Sequence, residues 1–440
     1  MDNAAMIAAA GRLRQCAEEL AGIAEAMVAA ARVEVSSEKA KEIEERHGTV
    51  AKRLVEVLAR FGVAAKVVDV CEGPTVMRIK IELPPGVKYS KVTEVCDNLQ
   101  GALRVKSLKV VAPVPGEDCV GIELPKENPE CVAFAETVLS ATGKTRGGAW
   151  EKMLPVIVGK GVDGKTIDAD LASMPHLIVG GASGQGKSRF MHSFICGLVA
   201  NRSPDDVQFI IADTKCVEYL QYDELPHLAV PVITDIRRIV FALHWAVAEM
   251  EKRLRMFAKA RVRNISDFNE RSSMPQSGVL GEDGQTERDA PVPKSIPYIV
   301  IAIDDFADAV ESVRDEIEHD IVRLTTKARA AGIHLVLVTQ HPDAKVLSGT
   351  IMANVPGRIA FRAVSSFNSE VILDDAGAER LIGRGDCLFR RKDGIVCRAQ
   401  APYISDAEID AIVAEAKGKW KDADVSIAGS NCNMAHVLAG

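Results

Sequence analysis

An eight-residue phosphate-binding motif constrains this chain more than any other feature. Residues Gly181–Ser188 read G-A-S-G-Q-G-K-S and match the pattern G-x-x-x-x-G-K-[ST] at every fixed position. The apolar segment His176–Gly180 precedes the motif as a predicted strand, and a helix is predicted from Lys187 to Ala200. A phosphate-binding loop needs this strand–loop–helix context. The motif therefore predicts an α/β fold of the P-loop type.

The residue types of the loop indicate its chemistry. Its glycines let backbone N–H groups surround a β-phosphate, and the helix N-terminus adds partial positive charge. Lys187 is predicted to reach the β- and γ-phosphates, and the Ser188 hydroxyl to ligate Mg²⁺. We therefore predict ATP and Mg²⁺ as ligands. The predicted nucleotide-binding residues are Gly181, Ala182, Ser183, Gly184, Gln185, Gly186, Lys187 and Ser188.

A second motif supplies two carboxylates. Tyr298–Ile303 is a very apolar segment, and Asp304 and Asp305 follow it directly. In parallel sheets, ligands bind at the carboxyl ends of the strands. Asp304 is therefore predicted to hold Mg²⁺ through water, and Asp305 to orient and activate the attacking water.

The order of the predicted strands suits a RecA-like sheet. Gln208–Asp213 falls between the two motifs in the chain, as expected where a strand is inserted between the two Walker strands. The next predicted strand, His334–Thr339, is followed directly by Gln340. Gln340 is predicted to be a polar sensor beside the γ-phosphate, and the alternative is a buried turn residue.

Composition and patterning divide the chain into four parts. Residues 1–53 are predicted to be a helical N-terminal extension, and 54–130 a small α+β domain. Residues 131–420 are predicted to form the RecA-like ATPase domain, with a mainly parallel sheet covered by helices on both faces. A flexible tail is expected over 421–440, and a mobile surface loop over Ser273–Ser295.

Bulk properties exclude several protein classes. No stretch of 18 apolar residues occurs, so no membrane insertion is expected. The ten cysteines form no C-x-x-C pair, which argues against a zinc site and favours a cytoplasmic location. The net charge of −7 argues against a generally basic coat but leaves DNA binding open, since a ring can hold basic residues in its pore.

The segment Thr325–Gln340, which continues into Ala353–Phe361, resembles the motor of the FtsK/SpoIIIE family of DNA translocases. It is the strongest part of a resemblance that covers roughly residues 54–417. Residues 61–125 look like the small α-domain of the family. Further matching segments are Pro226–Leu228, Trp245–Met250 with Arg253, Arg263–Ile265, Ile372–Asp374, Gly377–Glu379 and Leu381–Asp386.

The resemblance implies a homo-oligomeric ring, a hexamer, with ATP at each subunit boundary and double-stranded DNA in the pore. It also implies that Arg329 reaches the γ-phosphate of the neighbouring subunit as an arginine finger. From the residues alone, an arginine on a helix just before the sensor strand suits that role, and the alternative is a surface arginine without a partner.

The chain departs from the family pattern at its proposed base and at four basic positions. Asp305 replaces the usual glutamate, and its shorter side chain predicts slower hydrolysis. The basic positions carry His341, Met352, Ser366 and Glu370, which would weaken the grip on DNA phosphates. Arg358, Arg362 and Lys345 are candidates to compensate.

Three functions follow from these patterns. The first is a double-stranded DNA translocase that hydrolyses ATP at subunit interfaces. The second is a DNA packaging or conjugation motor, which shares the chemistry but needs a portal or channel. The third is a weakly hydrolysing ATP-binding ring that acts as a scaffold or on protein substrates, as Asp305 and the missing basic residues would allow.

Overall fold

A computed structural model of the chain describes residues 48–139, 152–271, 293–340, 342 and 347–420. These residues fall into two compact units. The first unit consists of the residues up to Val70, Ile79–Arg104 and Ala112–Gly121. The second unit consists of Cys71–Arg78, Val105–Val111 and the residues from Ile122 onwards. Residues 1–47 of the predicted N-terminal extension, the predicted tail and most of the predicted loop at 273–295 lie outside the described residues.

The smaller sheet has four strands in the order β1-β2-β4-β3. They are β1 (Lys66–Glu72), β2 (Val76–Glu82), β3 (Lys109–Val111) and β4 (Val120–Pro125). Helix α1 (residues 48–60) precedes them, and α2 (Ser90–Glu94) and α3 (Cys96–Leu103) lie between β2 and β3 in the chain. Helices α2 and α3 are separated at Val95, where the backbone leaves helical geometry, with ψ at 7°.

The larger sheet has nine strands in the order β6-β5-β13-β12-β11-β7-β10-β9-β8. The strands from β11 to β8 in this order run parallel, and those from β11 to β6 pair antiparallel. The nine strands are β5 (Pro155–Gly161), β6 (Thr166–Asp170), β7 (Leu177–Gly180), β8 (Val207–Ala212), β9 (Tyr298–Ile303), β10 (Ile333–Thr339), β11 (Gly357–Phe361), β12 (Asp386–Arg390) and β13 (Val396–Gln400).

The antiparallel half of this sheet was not predicted, so the sheet is mixed rather than mainly parallel. Parallel strands that are buried on both faces are continuously apolar and easy to recognise, as in β9. By contrast, β6 (T-I-D-A-D) and β13 (V-C-R-A-Q) carry charged or polar residues at several positions. Their strand character depends on their partners in the sheet more than on an apolar pattern.

Helices cover both faces of the larger sheet, as predicted. Alternate residues of the parallel strands enter two apolar clusters, with Val300 in one and Ile299 and Ile301 in the other. Helices α4 (Lys187–Asn201) and α10 (Asp406–Lys419) contribute to the first cluster, and α5 (Ile236–Ala260) and α7 (Phe306–Ala331) to the second. The remaining α-helices of the described residues are α6 (Ile265–Glu270), α8 (Gly349–Asn354) and α9 (Ser366–Leu373).

None of the helices described combines the length and the apolar character that crossing a bilayer requires.

Candidate nucleotide-binding site

The phosphate loop joins the end of β7 to the start of α4. Gly181, Gly184 and Gly186 have φ values of +142°, +72° and +116°, a region that favours glycine. A Cβ on Gly181 would lie 2.9 Å from the Cβ of Phe361, so this glycine also allows close packing. Lys187 is 6% exposed, and its ammonium group donates to the carbonyls of Gly181 (2.7 Å) and Ala182 (2.9 Å). The loop thus surrounds a buried cation.

The strand inserted between the two motif-bearing strands is β10. It lies between β7 and β9, whereas β8, which falls between the motifs in sequence, lies at the sheet edge beside β9. Thr339 is the register partner of Gly180. The half-buried Gln340 therefore follows directly beside the start of the phosphate loop, and its sensor role stays a prediction.

Asp304 and Asp305 lie at the end of β9, at the same edge of the sheet. The Asp304 carboxylate accepts a hydrogen bond from the backbone N–H of Asp305 at 3.0 Å. Asp305 adopts a left-handed conformation with φ at +46°, and its side chain is 7% exposed. One of its carboxylate oxygens is 2.5 Å from the ammonium nitrogen of Lys215.

The pKa values of the buried site residues indicate that the site binds additional ions. Burial raises the pKa of Asp304 to about 7, and the negative charge of Asp305 adds to the effect. Burial also lowers the pKa of Lys187 to about 8. Asp304 and the Ser188 hydroxyl offer hard oxygen donors of the kind that Mg²⁺ prefers. A divalent cation would stabilise the charged form of Asp304, so these residues fit Mg²⁺.

The loop after β8 carries site residues that were not predicted. Asp213 accepts hydrogen bonds from the backbone N–H groups of Lys215, Val217, Glu218 and Tyr219 at 2.9–3.2 Å. This loop brings Lys215 to Asp305. The ring of His192 lies 3.7 Å from the carboxylate of Glu218, and the interactions of that carboxylate with His192 and Ser188 lower its pKa. An aspartate that ends a buried strand is the signal that could have revealed this loop.

A second glycine loop supports the phosphate loop from outside. The backbone N–H of Gly385 donates to the carbonyl of Gln185 at 2.8 Å. A Cβ on Gly186 would lie 2.8 Å from the nitrogen of Gly385, so the two backbones are in close contact. Gly383, which has φ at +93°, lies against the side chain of Gln185.

Arg329 is not part of the site within one chain. It lies in the last turn of α7, before β10 begins at Ile333, whereas the phosphate loop lies at the other end of the parallel strands. Seven residues of β10 correspond to about 23 Å. The Arg329 side chain is exposed, and the structure shows no ion pair for it with any of the described residues.

The positions of the missing basic residues differ in exposure. Ser366 and Glu370 are exposed on α9, and Met352 is half-buried on α8. His341 and Lys345 lie outside the described residues. Arg362 is exposed, and its carbonyl accepts a hydrogen bond from the N–H of Ala182.

Arg358 cannot compensate for the missing charges, contrary to expectation. It is 5% exposed and donates to three backbone carbonyls, those of Val355, Ile372 and Met352. It also pairs with Asp374 at 2.7 Å. These bonds give Arg358 a structural role.

Two family models match the chain. The model of the FtsK/SpoIIIE family matches residues 144–344, and that of the FtsK alpha domain matches residues 30–126. The predicted domain boundaries at 53/54 and 130/131 stay predictions.

Two relatives are both named DNA translocase FtsK. The protein from Mycobacterium tuberculosis is 42% identical over 84% of this chain and 43% of its own length. The protein from Haemophilus influenzae is 40% identical over 84% of this chain and 71% of its own length. The chain thus spans less than half of the mycobacterial relative.

Two solved structures share the fold at 21% sequence identity. The pCW3 conjugation coupling protein TcpA superposes with a TM-score of 0.55, over 83% of this chain and 99% of TcpA. The cytoplasmic domain of the Thermomonospora curvata Type VII secretion ATPase EccC superposes with a TM-score of 0.53, over 65% of this chain and 34% of that domain.

Proposed function

The chain belongs to the FtsK/SpoIIIE family, and from this premise we propose that it is a cytoplasmic, ATP-driven motor that moves double-stranded DNA. The observation that carries the proposal is the convergence of the phosphate loop with Asp304, Asp305 and Gln340 at one edge of the parallel strands. The name DNA translocase, which the relatives carry, supports DNA as the substrate.

The proposed reaction assigns a step to each residue of the site. Lys187 and the loop N–H groups bind the β- and γ-phosphates, and Ser188 and Asp304 hold Mg²⁺, which neutralises phosphate charge when bound. Asp305 orients a water for attack on the γ-phosphorus and accepts its proton. The bond to the β-phosphate then breaks, and ADP and phosphate are released. Gln340, next to the loop, contacts the γ-phosphate.

We also propose that the working motor is a ring, most simply a hexamer. Arg329 lies about one strand length from the phosphate loop of its own chain, so it reaches a γ-phosphate only if that phosphate is bound by a neighbouring subunit. Its exposure and its lack of an ion-pair partner among the described residues support this role.

The decisive experiment is the ATPase rate with and without long double-stranded DNA across a salt series. A basic pore predicts stimulation by DNA that declines steeply as salt rises, because counterions compete for the phosphates. Lys187→Ala should abolish turnover at every salt concentration. An ATPase rate that DNA does not change would contradict the translocase.

Two observations support an alternative function, a weakly hydrolysing ATP-binding ring that acts as a scaffold or on protein substrates. The contact between Lys215 and Asp305 argues against fast hydrolysis, and Arg358 is buried and bonded, so it does not restore the basic charge that the family positions lack. ATP-dependent assembly without DNA-stimulated turnover would support this alternative. A packaging or conjugation motor would instead show DNA stimulation and need a channel partner for transport.

A further inference from the structure

Two ammonium groups contact the residues of the nucleotide site. Lys187 binds carbonyls of the phosphate loop, and Lys215, from the loop after β8, contacts the carboxylate of Asp305. Burial is the main cause of the lowered pKa of Lys187, and the positive charge of Lys215 contributes to it. Two cations in one site repel each other unless anions lie between them. A bound polyphosphate would supply such anions.

The backbone that carries Lys215 is held firmly in place. Asp213, which is 1% exposed, accepts four backbone N–H bonds from residues 215–219. Such a loop keeps its shape, because a buried carboxylate satisfies its donors. The Lys215 side chain, by contrast, is 49% exposed. The fixed loop therefore presents a partly exposed cation to the site.

The contact between Lys215 and Asp305 conflicts with the role proposed for Asp305. A carboxylate that orients water must direct an oxygen at that water, but Lys215 lies 2.5 Å from one of the Asp305 oxygens. Asp305 is 7% exposed, so few other positions are open to its side chain. Full activity requires the ammonium group to move.

A γ-phosphate would draw Lys215 away from Asp305. Its oxygens carry negative charge that ADP lacks, and Lys215 is a flexible cation with three donors. We propose that Lys215 is a second phosphate-binding lysine, which exchanges Asp305 for a γ-phosphate oxygen when ATP binds and so frees Asp305 to hold the attacking water. This inference depends on the proposed ATPase function.

The test compares Mg²⁺-ATPγS with Mg²⁺-ADP binding to the full chain by titration calorimetry. Lys215→Met should weaken ATPγS binding by about tenfold, the loss expected for one charge-assisted hydrogen bond, and leave ADP binding unchanged. Lys215→Arg should retain most of the difference between the two ligands. Lys252→Met is the matched control, since Lys252 is also partly exposed (39%) and pairs with a buried carboxylate, that of Glu249, at 3.7 Å.

A double-mutant cycle isolates the exchange itself. Asp305→Asn removes the competing partner, so it should strengthen ATPγS binding when Lys215 is present. The same substitution should have no such effect in a Lys215→Met background. An unchanged ratio of ATPγS to ADP affinity in Lys215→Met would overturn the proposal, even if turnover changed. A wild-type chain that binds neither ligand would refute the ATPase function and, with it, this inference.

Discussion

Arg398 binds both carboxylate oxygens of Asp386, at 2.9 and 2.6 Å, and all these atoms are buried. Asp386 directly follows Gly385, whose N–H supports the phosphate loop at Gln185. Arg398 also donates to Glu123 at 2.9 Å. Burial alone would raise the pKa of Glu123, but Arg398 and Arg78 outweigh it and lower that pKa to about 2. A buried ionic network therefore adjoins the glycine that supports the phosphate loop.

Arg398→Met should destabilise the chain strongly, because it leaves Asp386 and Glu123 buried without their main partner. Removing one member of a buried ion pair costs about 3–5 kcal/mol. The measurement is the midpoint of thermal unfolding with and without Mg²⁺-ATPγS. Arg390→Met is the control, since Arg390 pairs at 3.0 Å with Asp374, which is 56% exposed, and such pairs contribute at most about 1 kcal/mol. Equal shifts in the two variants would contradict the importance of the buried network.

The phosphate loop could be predicted from sequence because its information is local. One continuous segment, Gly181–Ser188, carries the shape of the loop, and the apolar residues before Asp304 mark a buried strand. Helical coverage of both sheet faces follows from the alternation of apolar strands with helices. These features needed no knowledge of distant contacts.

The supporting residues could not be predicted in this way, because their meaning comes from distant partners. Glu123 and Arg398 are 275 residues apart in the chain, yet they form one ion pair. In the sequence alone, the charge of Arg398 predicts that β13 is an exposed segment. The expectation for Arg358 failed for the same reason, since nothing in its neighbourhood predicts the carbonyls that it binds.

Asp305→Glu should raise the ATPase rate if the shorter side chain limits hydrolysis. The additional methylene lengthens the reach of the carboxylate beyond that of Asp305, whose oxygen now lies 2.5 Å from the Lys215 ammonium nitrogen. A several-fold increase in kcat with little change in KM is expected, because the change acts on the reacting water rather than on substrate binding. Phosphate release under saturating ATP is the measurement, and Asp305→Asn, which removes the base, is the inactive control. No gain in rate would show that Asp305 is not limiting.

Arg329→Ala should reduce turnover by about 10³-fold or more while ATP still binds, as loss of an arginine finger does. Lys327→Ala is the control, because Lys327 is exposed on the same helix two residues earlier. Mixing Arg329→Ala subunits with Lys187→Ala subunits adds a test of shared sites. A mixed ring contains boundaries that join an intact phosphate loop to an intact Arg329, so partial activity should return. Full turnover by Arg329→Ala alone would refute the finger.

Stability should fall as pH falls from about 6.5 to about 4, because two neighbouring histidines are buried in the neutral form. Burial lowers the pKa of His176 to about 3 and that of His334 to about 4. Below pH 6.5 the unfolded chain binds protons that the folded chain does not, so each histidine removes about 1.36 kcal/mol per pH unit. His176 must stay unprotonated at Nδ1 to accept the N–H of Leu335 at 3.0 Å. Thermal unfolding midpoints between pH 7.5 and 4.5 measure the effect. His176→Gln, which keeps an acceptor, should flatten the pH dependence, whereas His319→Gln, at a side chain that is 75% exposed, should not. If the unfolding midpoint fell equally steeply with pH in both variants, groups other than His176 would cause the acid sensitivity.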